Sequence, residues 1–231
     1  MKPFEHWLSL DLSSSKGTLA IHQVTKGTKS ILLSSHTLTE NGNHSERFIP
    51  QLEKCLKALS LSVSDLDRYI TSSGPGSFTG LRIALASLKA LAYVKTAPIE
   101  ILSGSESRGL AWLNKNPDTQ TKELFVITSI TADRFVAGKF IRDASDQLHF
   151  VEDSNHTDWT FISHPQKTTL ILDEKTNEIA LANLQLEAIE KLPAHADQLG
   201  ASLTRAKTRK TFQTISEWVN ATPNYFGSTR F

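Results

Sequence analysis

The chain has 231 residues, 39% of them hydrophobic and 21% charged, with a formal net charge of +1 at pH 7. That length supports one large domain or two small ones sharing an interface, and the near-neutral charge argues against a protein that grips RNA alone, because phosphate neutralisation needs a basic face. The single cysteine, Cys55, excludes internal disulfides; Glu5, His6 and Asp11 interrupt the first apolar stretch and spoil a signal-peptide core; Arg82 and Lys89 interrupt the longest apolar run, so no bilayer span and no membrane association is expected, and the expected location is the cytoplasm.

In chain order, Phe4 to Asp11 is apolar and reads as a strand, Gly17 turns the chain, Thr18 to Val24 alternates, and Gly27 turns it again before Ser30 to Leu38. Three antiparallel strands follow from that pattern. Asn41-Gly42-Asn43 closes the meander, and Asn43 or Ser45 is placed to cap a helix from about His44 to Leu59, with Glu46 facing the positive end of the dipole. Phe48, Leu52, Cys55, Leu56 and Leu59 form one stripe at steps of three and four, which assigns Cys55 to core packing rather than to nucleophilic chemistry. Tyr69 to Ser72 reads as a short strand, and Pro98 to Leu102 as another.

Between them lies the segment from Thr71 to Ala92, a polar strand end that passes through Gly74-Pro75-Gly76 and Gly80 into a helix. Gly permits positive φ and close backbone approach, and Pro75 ends the strand. The segment fails as a P-loop, because the position five beyond Gly74 is Thr79 and five beyond Gly76 is Leu81. It fails as G-x-G-x-x-G at Thr79. It fails as a nucleophile elbow because Pro75 stands two residues before Ser77. The remaining reading is a tight strand-to-helix turn. The helix carries Leu81, Ile83, Ala84, Leu85, Ala86, Leu88, Ala90, Leu91 and Ala92 around its circumference, so it requires burial on all sides, one against its own sheet and the other against a partner.

Beyond Ser103 the expected strands are Leu124 to Ile130, Phe135 to Ile141, Leu148 to Val151 and Thr169 to Leu172. The expected helices are Ser105 to Asn114, Glu178 to Lys191 and Ala196 to Asn220. The basic cluster Arg205 to Lys210 reads as a solvated helix face.

Gly74 to Ala92 closely resembles the signature of the TsaB family, also called YeaZ, the accessory subunits of the bacterial machinery that makes threonylcarbamoyladenosine in tRNA. His44-Ser45-Glu46-Arg47 with Ile49-Pro50 resembles that family's first-helix motif, Leu10-Asp11-Leu12-Ser13-Ser14 its first strand end, and Thr222-Pro223-Asn224-Tyr225 its usual ending. The resemblance implies an α/β fold of two ribonuclease-H-like subdomains of the actin/sugar-kinase/Hsp70 superfamily. The second would be degenerate, with a boundary near Ser103 separating 1–103 from 104–231. The Asp-Ala-Arg motif common in the family's second half appears as Ala132-Asp133-Arg134.

Active members of the superfamily hold a nucleotide through an Asp after the first strand. Asp11 stands there, either to hold a Mg²⁺ water or to satisfy turn N–H groups, but the glycine is delayed to Gly17. TsaD-type relatives bind a metal through two His at i and i+4 on the helix after this loop, a spacing that places both imidazoles on one face. The corresponding positions are Gly104 and Arg108, and no two of the eight histidines stand four apart.

The resemblance implies a non-catalytic scaffold with no cofactor or metal of its own, pairing with a TsaD-type catalytic subunit. The expected partner-binding residues are His44, Phe48, Leu52 and Leu56 on the first helix and Thr79, Leu81, Arg82, Leu85, Leu88, Lys89 and Ala92 on the second. Gly74, Pro75, Gly76 and Gly80 would form the structural loop. A TsaE-type ATPase completes the expected complex, tRNA is reached only through it, and the chain alone is expected to form a homodimer. The alternatives are an ATP-binding kinase or ATPase of the same fold, and a peptidase, for which the sequence offers neither a triad nor metal ligands.

Overall fold

Leu8 and Leu10 of the first strand lie opposite Ile21 and Leu19 of the second, and all four are fully buried. Cross-strand apolar pairs of this kind set the register of a sheet. The computed structural model describes residues 3–25, 30–39, 44–131, 134–173, 176, 181, 186–202 and 205–223. The expected turns at Gly27 and Asn41–Asn43, the pair Ala132-Asp133 and the terminal Asn224-Tyr225 lie outside those residues.

The first half runs β1 (Phe4–Asp11), β2 (Gly17–Thr25), β3 (Ser30–Thr39), α1 (His44–Ala58), β4 (Leu66–Ser72), α2 (Phe78–Lys95) and β5 (Ile99–Leu102). Its strands lie in the order β5-β4-β1-β2-β3, antiparallel within the meander and parallel from β1 through β4 to β5. α1 and α2 cover one face. Phe48, Leu52, Cys55 and Leu56 of α1 and Ala84, Leu85, Leu88 and Ala92 of α2 form one core with Leu8, Leu10, Leu19, Ile21 and Tyr69.

The second half runs α3 (Gly104–Lys115), β6 (Glu123–Ser129), β7 (Phe135–Arg142), β8 (Leu148–His156), β9 (Thr168–Leu172) and β10 (Ala188–Lys191). Its sheet order, β10-β9-β6-β7-β8, repeats that of the first half strand for strand, with the same pattern of parallel and antiparallel pairs. The chain is therefore a duplicated ribonuclease-H-like fold of the actin/sugar-kinase/Hsp70 type. Degeneracy is visible between β8 and β9, at the place of α1. Residues 157–167 form only a 3-10 turn at Pro165–Lys167. There Trp159 stacks on Phe135 at 4.4 Å and Phe161 on His156 at 4.1 Å, and with Ile162 they cover the core in place of a helix.

Two expected helices are corrected. The described end of the expected Glu178–Lys191 helix is strand β10, paired in parallel with β9; most of its remainder lies outside the described residues. Ala196–Asn220 is not one helix but α4 (Ala196–Ser202), β11 (Lys210–Phe212) and α5 (Ile215–Asn220). Thr208 and Thr211 spend their hydroxyls on buried carboxylates, and Thr214 caps a new helix with Glu217 in a capping box, so local hydrogen bonding overrides the helical period.

The helices after β5 and β10 are exchanged between the halves. α3 follows the first sheet yet packs on β6, β7 and β8, whereas α4 follows the second yet packs on β1 to β4. Close approach depends on glycine: a Cβ on Gly109 would stand 2.2 Å from the Phe140 ring, and one on Gly200 2.4 Å from the His22 ring. β11 then adds to the edge of β5, and Trp218 of α5 enters the first core. The segment from Ala196 onward thus returns to the first half, and β11 makes the first sheet from residues on both sides of Ser103. No helix among the described residues is long and apolar enough to cross a membrane.

His22, packed under Gly200, sets an acid limit on stability. Burial lowers its pKa from 6.5 to about 4, so below pH 6.5 the unfolded chain takes up a proton that the folded chain refuses. Stability is expected to be full above pH 6.5 and to fall as pH drops toward 4, by at most about 3 kcal/mol. Urea titrations at stepped pH check this against His22→Leu, whose slope over that window should be shallower; equal slopes would remove His22 as the cause.

Candidate functional site

The glycine turn is held from three directions. Gly74 N–H donates to Ser72 Oγ at 2.9 Å. Gly74 O accepts from Gly104 N–H at 2.9 Å, and Ser77 N–H donates to Ser13 O at 2.7 Å. Ser77 Oγ caps α2 by accepting from Gly80 N–H at 3.2 Å. Gly74 and Gly76 take φ of 100° and 153°, and a Cβ on Gly76 would stand 2.5 Å from Ser13. Much of the turn's hydrogen bonding is thus directed into the β1–β2 loop and α3, which fixes where α2 begins.

Asp11, buried at the end of β1, accepts from Ser13 N–H at 2.8 Å, the turn-closing role of an Asx residue. Across from it, Ser103 caps α3 through Glu106 N–H and donates to Asp153 Oδ2 at 2.8 Å. Burial pushes the Asp153 carboxyl above its usual range. Buried Glu106 accepts from Lys207 N–H at 2.7 Å, Thr208 N–H at 2.9 Å and Thr208 Oγ1 at 2.6 Å. Buried Glu100 accepts from Arg68, from Arg209 Nε at 3.1 Å and from Thr211 Oγ1 at 2.6 Å. The basic run Arg205 to Lys210 is therefore a strap tied across β5 and α3 by two buried acids, not the solvated helix face expected. Glu100 inside an apolar strand and Glu106 in the first turn of α3 were the sequence signals of this network.

Gly104 and Arg108, the positions expected to correspond to two metal-binding histidines, supply no metal ligand. A Cβ on Gly104 would stand 2.8 Å from Ser72 Oγ, leaving no space for an imidazole, and Arg108 is a donor-only cation. Among the described residues no group of three or more His, Cys, Asp or Glu is arranged to hold a metal ion.

The expected partner-binding residues separate into two sets. Phe48, Leu52, Leu56, Leu81, Leu85, Leu88 and Ala92 are buried within this chain's own structure, so they hold α1 and α2 on the sheet and are not available to a partner. Thr79 and Arg82 are exposed, and Lys89 is half-buried, donating to Ala221 O at 3.0 Å, with burial lowering its pKa. The side chain of His44 lies outside the description.

The face that α2 leaves uncovered nonetheless carries an apolar row. Phe78, Arg82, Ala86 and Ala90 follow one another at steps of four, and Tyr93 and Val94 extend the row. Phe78, Tyr93 and Val94 are 46%, 65% and 72% exposed, and the Arg82 guanidinium lies 4.1 Å from the centre of the Phe78 ring. Ile49 of α1, 43% exposed, adds to the same side of the sheet. A helix apolar on every arc does not reveal from sequence which arc faces out. The sheet selects the Leu rows and leaves the row of aromatic and small residues.

Two sheets that share one order of five strands, with the helices after β5 and β10 exchanged between them, define a duplicated ribonuclease-H-like fold. The family described as TsaD, tRNA N6-adenosine threonylcarbamoyltransferase, matches residues 33–110. The tRNA threonylcarbamoyladenosine biosynthesis protein TsaB of Bacillus subtilis is 30% identical over 98 residues, 42% of each chain. That of Buchnera aphidicola is 43% identical over 44 residues, 19% of this chain and 20% of its own. The matched stretch thus spans less than half the length of either relative. The solved structure of YeaZ from Pseudomonas aeruginosa superposes with a TM-score of 0.71 at 17% identity, covering 96% of this chain and 100% of that one. Sequence comparison over part of the chain and fold comparison over nearly all of it both point to similarity with TsaB (YeaZ) proteins.

Proposed function

We propose that the chain is a non-catalytic scaffold subunit that binds and activates a TsaD-type threonylcarbamoyltransferase in the N6-threonylcarbamoyladenosine modification of tRNA at position 37. The observation that carries this reading is the exposed apolar row on α2, from Phe78 to Val94. Contiguous exposed apolar surface on a soluble protein marks an interaction site. The occupant is a TsaD-type subunit because the TsaD family match, residues 33–110, takes in both α1 and α2. A partner built on the same half-fold presents an equivalent pair of helices, which suits a near-symmetric pairing. Ala86 and Ala90 allow close helix approach, and a stable interface of about 800 Å² per partner extends beyond one helix to α1.

In this reading the chain works in the cytoplasm without a cofactor, pairs with a second copy of itself when the catalytic subunit is absent, and reaches tRNA only within a complex completed by a TsaE-type ATPase. The net charge of +1 and the internal use of Arg209 support leaving most of the tRNA contact to other subunits.

The test is reconstitution with purified TsaD-type subunit, tRNA and threonylcarbamoyl adenylate. Transfer is expected with both proteins present and none with this chain alone. Transfer by the chain alone, or equal transfer by the TsaD-type subunit without it, would reject the reading.

A further inference from the structure

The described part of the chain stops at Pro223, and it stops beside α2. Trp218 and Ala221 share the first core with Leu85 and Leu88, Pro223 is buried, and Ala221 O accepts from Lys89 Nζ at 3.0 Å. Residues 224–231 follow as Asn-Tyr-Phe-Gly-Ser-Thr-Arg-Phe. A segment with aromatic surface to bury thus starts next to a helix whose own aromatic surface is uncovered.

Helix geometry says where it can lie. At 3.6 residues per turn Lys89, eleven residues after Phe78, comes round to within about 20° of it, and Arg82 stands about 40° away. Ala86 and Ala90 are about 80° and 120° from Phe78, on the other flank of the uncovered arc. Lys89, where the C-terminal segment is tied down, therefore marks one end of a stripe that has Phe78 at the other. Phe78 is 46% exposed, yet it and Arg82 each have a further contact besides the one they share, which favours this end of α2 as the seat. The lengths agree. From Lys89 to Arg82 is about 10 Å of helix and to Phe78 about 16 Å, and an extended chain carries Tyr225 about 13 Å and Phe226 about 16 Å beyond Ala221. Alternate side chains of an extended segment face opposite ways, so one ring of that pair meets the helix. A ring suits both residues there, as an aromatic neighbour for Phe78 and a π-face for the Arg82 guanidinium.

We propose that residues 224–231 fold back along α2 of the same copy and seat a ring of Tyr225-Phe226 on the Phe78–Arg82 pair. Ala86 and Ala90 stay open, so the segment is a wall beside the uncovered row and not a lid over it. This goes beyond the scaffold reading and does not depend on it.

Paramagnetic broadening in the full chain tests the placement. A nitroxide on Ala86→Cys is expected to erase the amide signals of Tyr225 and Phe226 in dilute solution; Cys55 is buried and escapes labelling. The same label on Glu152→Cys, exposed on β8 of the second sheet, is expected to leave those signals sharp. Sharp signals with both labels overturn the proposal. Broadening that also arises when an isotopically silent nitroxide copy is mixed with an isotope-labelled, nitroxide-free one overturns it too, because a second copy then makes the contact. Phe78→Ala removes an exposed side chain and half of the seat, so in the Ala86→Cys chain it is expected to restore both signals; broadening that persists there overturns the named seat. The catalytic subunit takes no part in these measurements, so their failure leaves the scaffold reading as it stands.

Discussion

Ala86→Arg is expected to weaken capture of a TsaD-type subunit about thirtyfold or more while leaving the thermal midpoint of the chain unchanged. Ala86 stands at the middle of the uncovered arc of α2, between Arg82 and Ala90 and flanked by Tyr93. A long charged side chain there holds two helices apart and must be desolvated if they meet. At the centre of an interface such a change costs about 2 kcal/mol or more, roughly thirtyfold in Kd. Within a single copy of the chain that side of the helix is exposed, so the added side chain meets nothing of its own fold. Co-purification and isothermal titration measure the first effect, and differential scanning calorimetry the second. Undiminished capture by both Ala86→Arg and Ala90→Arg would remove this face from the interface. Leu85→Asp and Leu88→Asp cannot serve as probes of the same surface. Both side chains lie in the core beneath α2, so an aspartate there buries an uncompensated charge and lost binding would only report unfolding.

Gly80→Ala is expected to lower stability by about 3 kcal/mol or more, at the upper end of overpacking effects. The added methyl would lie 1.8 Å from the carbonyl oxygen of Leu12 and 2.9 Å from its carbon. Both atoms are backbone, so no rotamer change relieves the clash. Relief requires α2 to lift from the β1–β2 loop, which breaks the Ser77 to Ser13 hydrogen bond and moves the outward row with it. Urea denaturation checks the stability, and capture of the partner checks the displacement. A midpoint within about 0.5 kcal/mol of wild type would show that the first turn of α2 is not seated as described.

How far the sequence reveals these features depends on how many roles each residue has. β1, β2 and β3 could be read because their alternation and turn glycines have one cause, and α1 because Phe48, Leu52 and Leu56 make a single stripe. The duplicated topology was legible only through the resemblance, since Trp159, Phe161 and Ile162 do by loop packing what a helix does in the first half, and no period records it. The strap was misread for a related reason: Arg205, Lys207, Arg209 and Lys210 look solvated until Glu100, inside an apolar strand, and Glu106, in the first turn of α3, are recognised as needing partners. The proposed partner face was the hardest feature. The Leu positions that look most like an interface are the ones the sheet takes, and the weaker row of Phe78, Ala86, Ala90 and Tyr93 is left outside.

The exchange of α3 and α4 also orders events during synthesis. Trp7, Val24, Ile70 and Leu102 form an apolar surface on the first sheet whose cover includes Leu199, and Thr18 accepts a hydrogen bond from Ala196, 178 residues later. A chain emerging from the ribosome therefore displays that greasy side until a segment 178 residues further on has been made to seal it.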